Sequence, residues 1–186
     1  MRIQIRKGVF ETNSSSTHSI CISKTPVEIN TNRIVAFYLK DYGWSEDEEY
    51  DVHNYLYTAI MTFDDRDELL AKLKSILDKN GIKYTMQEPK FHCFSNDGKT
   101  YSYLDNGGID HSDGTRAFID TVLNDENLFM RMLFGDSVVY TGNDNEDVDL
   151  ARKDVADATY WSYEAKAVIP NPHHDEENYD YFYKGN

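Results

Sequence analysis

The chain has 186 residues, a length that fits one domain and buries enough surface to fold without disulfide bridges. Its 33 acidic and 19 basic residues give a formal charge of −14, which suits a basic partner surface and disfavours binding to nucleic-acid phosphates, except at the basic N-terminal patch of residues 1–40. The alternative is that the charge serves solubility alone. The sequence has no run near the roughly 20 apolar residues of a membrane span and no signal-peptide core at its start, which predicts a cytoplasmic protein.

Period-two alternation of apolar residues predicts strands over residues 2–6 and 18–23. Strands are also predicted over the more buried apolar run of residues 33–39 and over the short segments 82–86 and 137–141. Two aromatic-rich runs flank Asn96-Asp97-Gly98 and predict a hairpin, because these residues readily adopt the positive φ that a tight turn needs. The strands come in clusters rather than in strict alternation with helices, which favours a largely antiparallel sheet.

Three segments have the apolar spacing of helices. The first begins at a capping box formed by Ser45 and Glu48, and its apolar stripe extends to Phe63, as in an amphipathic helix. The others cover residues 65–79 and 115–133, the latter with a break near its middle. These segments predict three to four helices that pack on the sheet.

The predicted fold is therefore a single α+β domain with a largely antiparallel, mixed sheet packed by three to four helices. Residues 1–145 form the core, and residues 146–186 form an acidic, tyrosine-rich extension packed on it. The extension is expected to hold a short helix around residues 146–158 and an aromatic tail that is either an edge strand or a partner-facing surface. The candidate partner-binding residues are Asp144, Glu146, Asp147, Asp149, Tyr179 and Tyr181.

A run of short polar side chains in residues 6–19, RKGVFETNSSSTHS, is the strongest candidate for chemistry. We read it as a loop that joins the first two strands. Its candidate catalytic residues are Ser14, Ser15, Ser16 and His18, the last as acid or base. Its candidate phosphate-binding residues are Arg6, Lys7, Thr12, Asn13 and Thr17. The alternative is a hydroxyl-rich turn whose side chains bond to their own backbone.

The sequence predicts no metal and no cofactor. His173 and His174 are adjacent and cannot share one helix face, and the acids of residues 144–149 lack the glycine and the closing glutamate of a calcium loop. Cys21 and Cys93 lie in apolar, strand-like surroundings, which predicts two buried thiols in a reducing compartment.

The motif R-K-G-V-F-E-T-N-S-S-S-T-H-S of residues 6–19 resembles the signature of a widespread group of mostly uncharacterised proteins from phages and mobile elements of Firmicutes. Residues 134–145, F-G-D-S-V-V-Y-T-G-N-D-N, are similar to a later segment of that group. Some small acidic proteins of such elements are anti-CRISPR inhibitors, and the resemblance implies an inhibitor of the type II effector nuclease. It transfers no catalytic residue to this chain.

Two hypotheses of different class follow. The first, which we favour, is a phage or mobile-element accessory protein that acts in the host cytoplasm without a cofactor. Its acidic surface would bind the basic nucleic-acid channel of a defence ribonucleoprotein, and this binding would be sensitive to salt. The second is a hydrolase or nuclease that acts on RNA or a nucleotide through residues 12–19. Substitution of Ser15 and His18 should abolish activity under the second hypothesis and spare it under the first.

Overall fold

The computed structural model describes residues 16–43, 47–96, 98–110, 114–143 and 155–184. Within these residues the chain forms four α-helices and twelve β-strands, a mixed α+β fold with mostly antiparallel pairing. The helices are α1 (Val52–Thr62), α2 (Arg66–Lys79), α3 (Thr115–Asn124) and α4 (Glu126–Phe134). The strands are β1 (Ser16–Ser23), β2 (Ile34–Phe37), β3 (Asp41–Tyr42), β4 (Asp47–Glu49), β5 (Lys83–Met86), β6 (Phe91–Asn96), β7 (Lys99–Leu104), β8 (Gly108–Ile109), β9 (Ser137–Asn143), β10 (Thr159–Ser162), β11 (Ala167–Pro170) and β12 (Tyr179–Lys184).

Four antiparallel strands form the main sheet, with the order β12-β1-β9-β4. β1 lies between β9 and β12, so that Ile20 is opposite Val139 on one side and Phe182 on the other. The predicted strands over residues 18–23 and 137–141 are confirmed. The aromatic tail forms an edge strand of this sheet, which was one of its two predicted structures.

Successive side chains of β1 point to opposite faces of the main sheet. The inner face packs on the helices and carries His18, Ile20, Ile22, Val139 and Phe182. The outer face carries Ser19, Cys21, Val138, Tyr140, Tyr179 and Tyr181. β1 is buried along its whole length, because both faces are covered there.

Helix α1 is buried on nearly all sides, which differs from the amphipathic helix that its sequence predicts. Its polar side chains bond to the chain that follows β2 instead of facing water. Asn54 Oδ1 accepts a hydrogen bond from the backbone N–H of Tyr38 (2.8 Å), and Thr58 Oγ1 accepts one from the N–H of Lys40 (3.3 Å). The polar side chains on this helix therefore form hydrogen bonds with backbone groups and do not mark a solvent-facing side.

The predicted capping box is wrong. Glu48 lies in β4, where it is opposite Tyr140 of β9, and α1 begins only at Val52, with Asp51 as its N-cap residue. Ser45 lies outside the described residues. A capping box requires the chain to turn helical at once, whereas here three extended residues first pair with the main sheet.

Of the other predicted elements, some are confirmed and some lie outside the described residues. The second helix, the break between α3 and α4, and the β6–β7 hairpin with Gly98 at a φ of 72° are confirmed. β2 pairs with β5, and β3 with β8, as parallel pairs. The strand predicted over residues 2–6 and most of the helix predicted over 146–158 lie outside the described residues, and residues 155–158 form a turn rather than a helix. No helix in the described ranges is long and apolar enough to cross a membrane.

Candidate functional site

Three of the predicted site residues lie in β1, and they are buried. The exposed fractions are 2% for Ser16, 7% for Thr17 and 0% for His18. The prediction that Ser16 and Thr17 belong to a loop is wrong, because the strand begins at Ser16. Strand alternation also separates them, since Ser16 and His18 point to the inner face and Thr17 to the outer face. The other predicted site residues of this segment lie outside the described residues: Arg6, Lys7, Thr12, Asn13, Ser14 and Ser15.

His18 forms a polar pair inside the core. Its Nδ1 lies 2.7 Å from the hydroxyl of Tyr55, and the two rings pack edge to face with their centroids 5.5 Å apart. Burial raises the pKa of Tyr55 above its usual value, so the hydroxyl keeps its proton at physiological pH. The arrangement stabilises the contact between β1 and α1. Its use in catalysis stays a prediction that would require a path to the inner face.

The formal charge of the chain is concentrated in two segments. Residues 41–51 hold six acids and no base, and residues 135–186 hold twelve acids and four bases. Together these segments account for the whole charge of −14, because the acids and bases in the rest of the chain balance. They supply β4, β9 and β12, which are three of the four strands of the main sheet and both of its edges. The acidic excess therefore belongs to the sequence segments that contain both edge strands of the main sheet.

Residues 155–178 cover one part of the outer face. The backbone N–H of Ala156 donates to Ser19 Oγ (3.4 Å), and Val155 is 4% exposed. The imidazole of His174 is hydrogen-bonded to the carbonyl oxygen of Val155 (2.9 Å), which joins the two ends of this covering segment. Ser19 and the neighbouring Cys21 are consequently buried.

Tyr181, one of the predicted partner-binding residues, is engaged within the chain. Its ring stacks on His174 with centroids 4.5 Å apart, and its hydroxyl accepts a hydrogen bond from the N–H of Asp175 (2.7 Å). It is opposite Cys21 in the register of β1 and β12. Burial there raises the pKa of the Cys21 thiol to about 12. Tyr181 thus helps to hold the covering segment on the sheet.

An open cleft of about 300 Å³ lies beside the covered part of the outer face. Its lining residues are Tyr50, Gly135, Asp136, Ser137, Val138, Tyr140 and Tyr179. Tyr179 comes from β12, Tyr140 from β9, and Tyr50 from the end of β4. The structure thus places the predicted residue Tyr179 in a cleft with two further tyrosines. The four predicted acids Asp144, Glu146, Asp147 and Asp149 lie outside the described residues.

The hairpin of β10 and β11 carries exposed apolar side chains. Trp161 and Val168 are opposite each other in its register, so they share one face, and they are 48% and 62% exposed. Tyr163, just beyond β10, is 77% exposed. Tryptophan and tyrosine are enriched among the residues that dominate binding at protein interfaces. The hairpin lies in the acidic segment of residues 135–186, which makes it a second candidate contact surface.

Tyr50, Tyr140 and Trp161 are candidate functional residues that the sequence analysis missed. Tyr140 lies in a predicted strand next to Val139, and strand alternation could have placed it on the face opposite the core. Tyr50 carries no such signal, because its position depends on the pairing of β4 with β9. Cys93, predicted to be buried, is exposed, since the β6–β7 hairpin pairs with no other strand in the described part of the chain.

Within the described residues no group of three or more histidine, cysteine or acidic side chains is arranged to hold a metal ion. No family model matches the chain, and no curated protein or solved structure matches it. The function of the candidate surface is therefore inferred from the charge, exposure and hydrogen bonds of its residues.

Proposed function

We propose that this protein is a phage or mobile-element accessory protein that inhibits a host defence nuclease by binding it. The target class is the type II CRISPR effector ribonucleoprotein, which the resemblance of residues 6–19 implies, and the place of action is the host cytoplasm. The acidic edges of the main sheet occupy a basic nucleic-acid channel. Inhibition in this form needs no catalytic residue and no cofactor.

The position of the acidic charge is the observation that carries the proposal. Residues 41–51 and 135–186 carry the whole formal charge of −14, and they include both edge strands of the main sheet. Acidic surfaces accelerate encounter with basic ones and make the complex sensitive to salt. Such a surface repels nucleic acid itself, so it supports a protein partner.

The exposed aromatic residues of the β10–β11 hairpin supply the second property that a binding surface needs. Charge alone contributes more to association rate and specificity than to affinity. Trp161 and Tyr163 offer large contact areas at a low cost in side-chain entropy, and they lie in the same acidic segment. We expect them to anchor a complex that the charges first bring together.

A hydrolase or nuclease acting through residues 12–19 is the competing hypothesis. A nucleophile and its base need access to a substrate. The described members of this segment, Ser16, Thr17 and His18, are at most 7% exposed, and His18 shares its Nδ1 hydrogen bond with Tyr55. These observations favour binding over catalysis.

A pull-down with a type II CRISPR effector tests the proposal. The tagged full chain is mixed with the effector and its guide RNA at low and high salt, and the guide is then sized on a denaturing gel. We expect a retained complex with an intact guide, weakened at high salt. A shortened guide would instead support the hydrolase, and the absence of any complex would contradict the choice of target.

Charge reversal provides a matched control within the chain. The first variant changes three exposed acids of the 135–186 segment, Asp136, Glu164 and Glu177, to lysine. The control variant changes three exposed acids elsewhere, and these are Asp64, Glu88 and Asp105. Both variants gain six units of charge, so they differ only in its position. We expect the first variant to lose the complex and the control to keep most of it. Equal losses would mean that net charge rather than this surface drives binding.

A further inference from the structure

The cleft on the outer face is built from three tyrosines that come from three different strand regions. Tyr140 belongs to β9, Tyr179 to β12 and Tyr50 to the end of β4. Tyr50 is 67% exposed, and the other two are half-buried. Val138 forms part of the same lining. A ligand in this cleft therefore meets three tyrosine side chains.

Carboxylates accompany the aromatic rings. Asp136 lines the cleft and is exposed, and Glu48 Oε2 accepts a hydrogen bond of 2.8 Å from the hydroxyl of Tyr50. None of the described residues that line the cleft is basic. Lys24, next to Ser23 at the Tyr179 position of the sheet, donates its ammonium to the carbonyl oxygen of Glu176 (2.6 Å) and lies 3.8 Å from Asp180. The charged side chains described at the cleft are therefore acidic.

Aromatic faces and carboxylates together select a cation. The face of a tyrosine ring carries negative potential and attracts ammonium and guanidinium groups. A guanidinium is planar, stacks on aromatic rings, donates two parallel hydrogen bonds to a carboxylate and is less strongly hydrated than an ammonium. The volume of about 300 Å³ lies at the lower end of the range for small-molecule sites, roughly 300–1,000 Å³. It suits one side chain better than a nucleotide, whose phosphates the carboxylates would also repel.

We infer that the tyrosine cleft binds an arginine side chain of the partner protein. The guanidinium lies against the rings of Tyr50, Tyr140 and Tyr179, with Asp136 as its anionic neighbour. The inference rests on the proposed function in that it assumes a basic protein partner, and it adds the chemical group that the partner inserts. Nucleic-acid-binding channels are rich in arginine, so such a group is available there.

The test uses the full chain and three short peptides that differ in one side chain. Ac-Gly-Arg-Gly-NH₂ is compared with the lysine peptide and with the citrulline peptide, which keeps the planar shape of arginine but has no charge. Titrations at low salt are followed by NMR chemical shifts of the protein. We expect the arginine peptide to bind best, the lysine peptide less well and the citrulline peptide about tenfold or more weakly. Equal binding of the arginine and citrulline peptides would overturn the inference.

Substitutions locate the site. Tyr50→Ala and Tyr179→Ala should each weaken the arginine peptide by about two- to tenfold, whereas Tyr50→Phe and Tyr179→Phe should retain most of the affinity, because the ring face rather than the hydroxyl binds the cation. Tyr38→Ala removes an exposed tyrosine outside the cleft and serves as the control. The phenylalanine variants keep the packing, so they remain informative if an alanine variant unfolds. Unchanged binding by the alanine variants, or loss in both phenylalanine variants, would contradict the assignment.

The outcome is separable from that of the proposed function. The peptide titration needs no effector, so arginine binding that depends on Tyr50 and Tyr179 would stand even if the pull-down failed. A retained effector complex whose strength is unchanged by Tyr50→Ala and Tyr179→Ala would reject the arginine cleft and leave the inhibitory function intact.

Discussion

The two faces of the main sheet are made by the same strands and have opposite properties. The inner face is a close-packed apolar layer in which Ile20, Ile22 and Val139 are at most 2% exposed. The outer face carries small polar groups, a thiol and tyrosines, and it is covered over Ser19 and Cys21 but open at the cleft. Folding is thus driven by one set of alternate residues, and the uncovered members of the other set are available for binding.

The candidate binding residues of this chain are therefore ones that the core does not use. The hydroxyl-rich segment, which the sequence predicts to be a reactive loop, contributes Ser16 and His18 to the buried inner face of the main sheet. The cleft uses residues from sheet positions of the opposite parity, far apart in the sequence. Three measurements test this distinction between the two faces.

Thiol reactivity should give the largest difference, because it distinguishes the covered outer face from the open surface. The thiolate is the reactive form of cysteine, and burial raises the pKa of Cys21 from 9.0 to about 12. This alone lowers its reactive fraction roughly a thousandfold at neutral pH. We expect iodoacetamide to label the exposed Cys93 quickly and Cys21 only after denaturation, as measured by mass spectrometry.

The Cys93→Ser variant is the control for that experiment. It should take up no label while folded and one label per chain in denaturant. Fast labelling of Cys21 in the folded variant would show that residues 155–178 do not cover the outer face in solution, and the contrast between covered and open parts would fail.

Truncation of a side chain on each face should give the next largest difference. Ile22 is 0% exposed on the inner face, and Ile22→Ala should lower the free energy of unfolding by about 2–5 kcal/mol, since it removes packed methylene groups and leaves a cavity. Val138 is half-buried on the outer face, and Val138→Ala should cost about 1 kcal/mol or less. Urea denaturation followed by circular dichroism measures both values. Equal costs would contradict the division between the faces.

The smallest expected effect is a pH dependence that originates in the helical layer behind the inner face. Burial lowers the pKa of His53 below 6.5, and this outweighs the opposing field of Asp51. Its neutral form therefore contributes stability that is complete above pH 6.5 and is lost as the pH falls through the lowered pKa of the folded state. We expect His53→Gln to make the free energy of unfolding less sensitive to pH below that value, as measured by urea denaturation over a pH series.

The exposed His173 offers a matched control, since His173→Gln makes the same change of side chain on the surface. A His53→Gln variant that lost stability on acidification as steeply as the wild type would show that His53 is not the group responsible.

The elements of this fold were more predictable than their arrangement. The hairpin around Gly98 and the break between α3 and α4 depend on local residue preferences, and both were predicted correctly. The capping box at Ser45 and Glu48 failed because pairing of β4 with β9 is a long-range interaction that overrides a local motif. Tertiary contacts also override the amphipathic pattern of α1, because its polar side chains Asn54 and Thr58 bond to backbone groups instead of facing water.

The candidate site was harder to predict than the fold. Tyr179 was selected from composition, but its neighbours Tyr50 and Tyr140 depend on the strand order β12-β1-β9-β4. Strand order is set by contacts between distant segments, and apolar alternation in a single chain does not report those contacts. The register that brings Glu48 opposite Tyr140 is likewise a product of the assembled sheet.

The central position of β1 has a consequence for the order of events during protein synthesis. This strand leaves the ribosome before its two neighbours, residues 137–143 and 179–184. Pairings over such sequence separations form slowly, and an unpaired apolar strand is prone to aggregate while it waits. We expect the helical layer, which is made in between, to cover β1 until translation reaches β12. Assembly of the main sheet therefore follows synthesis of the helices.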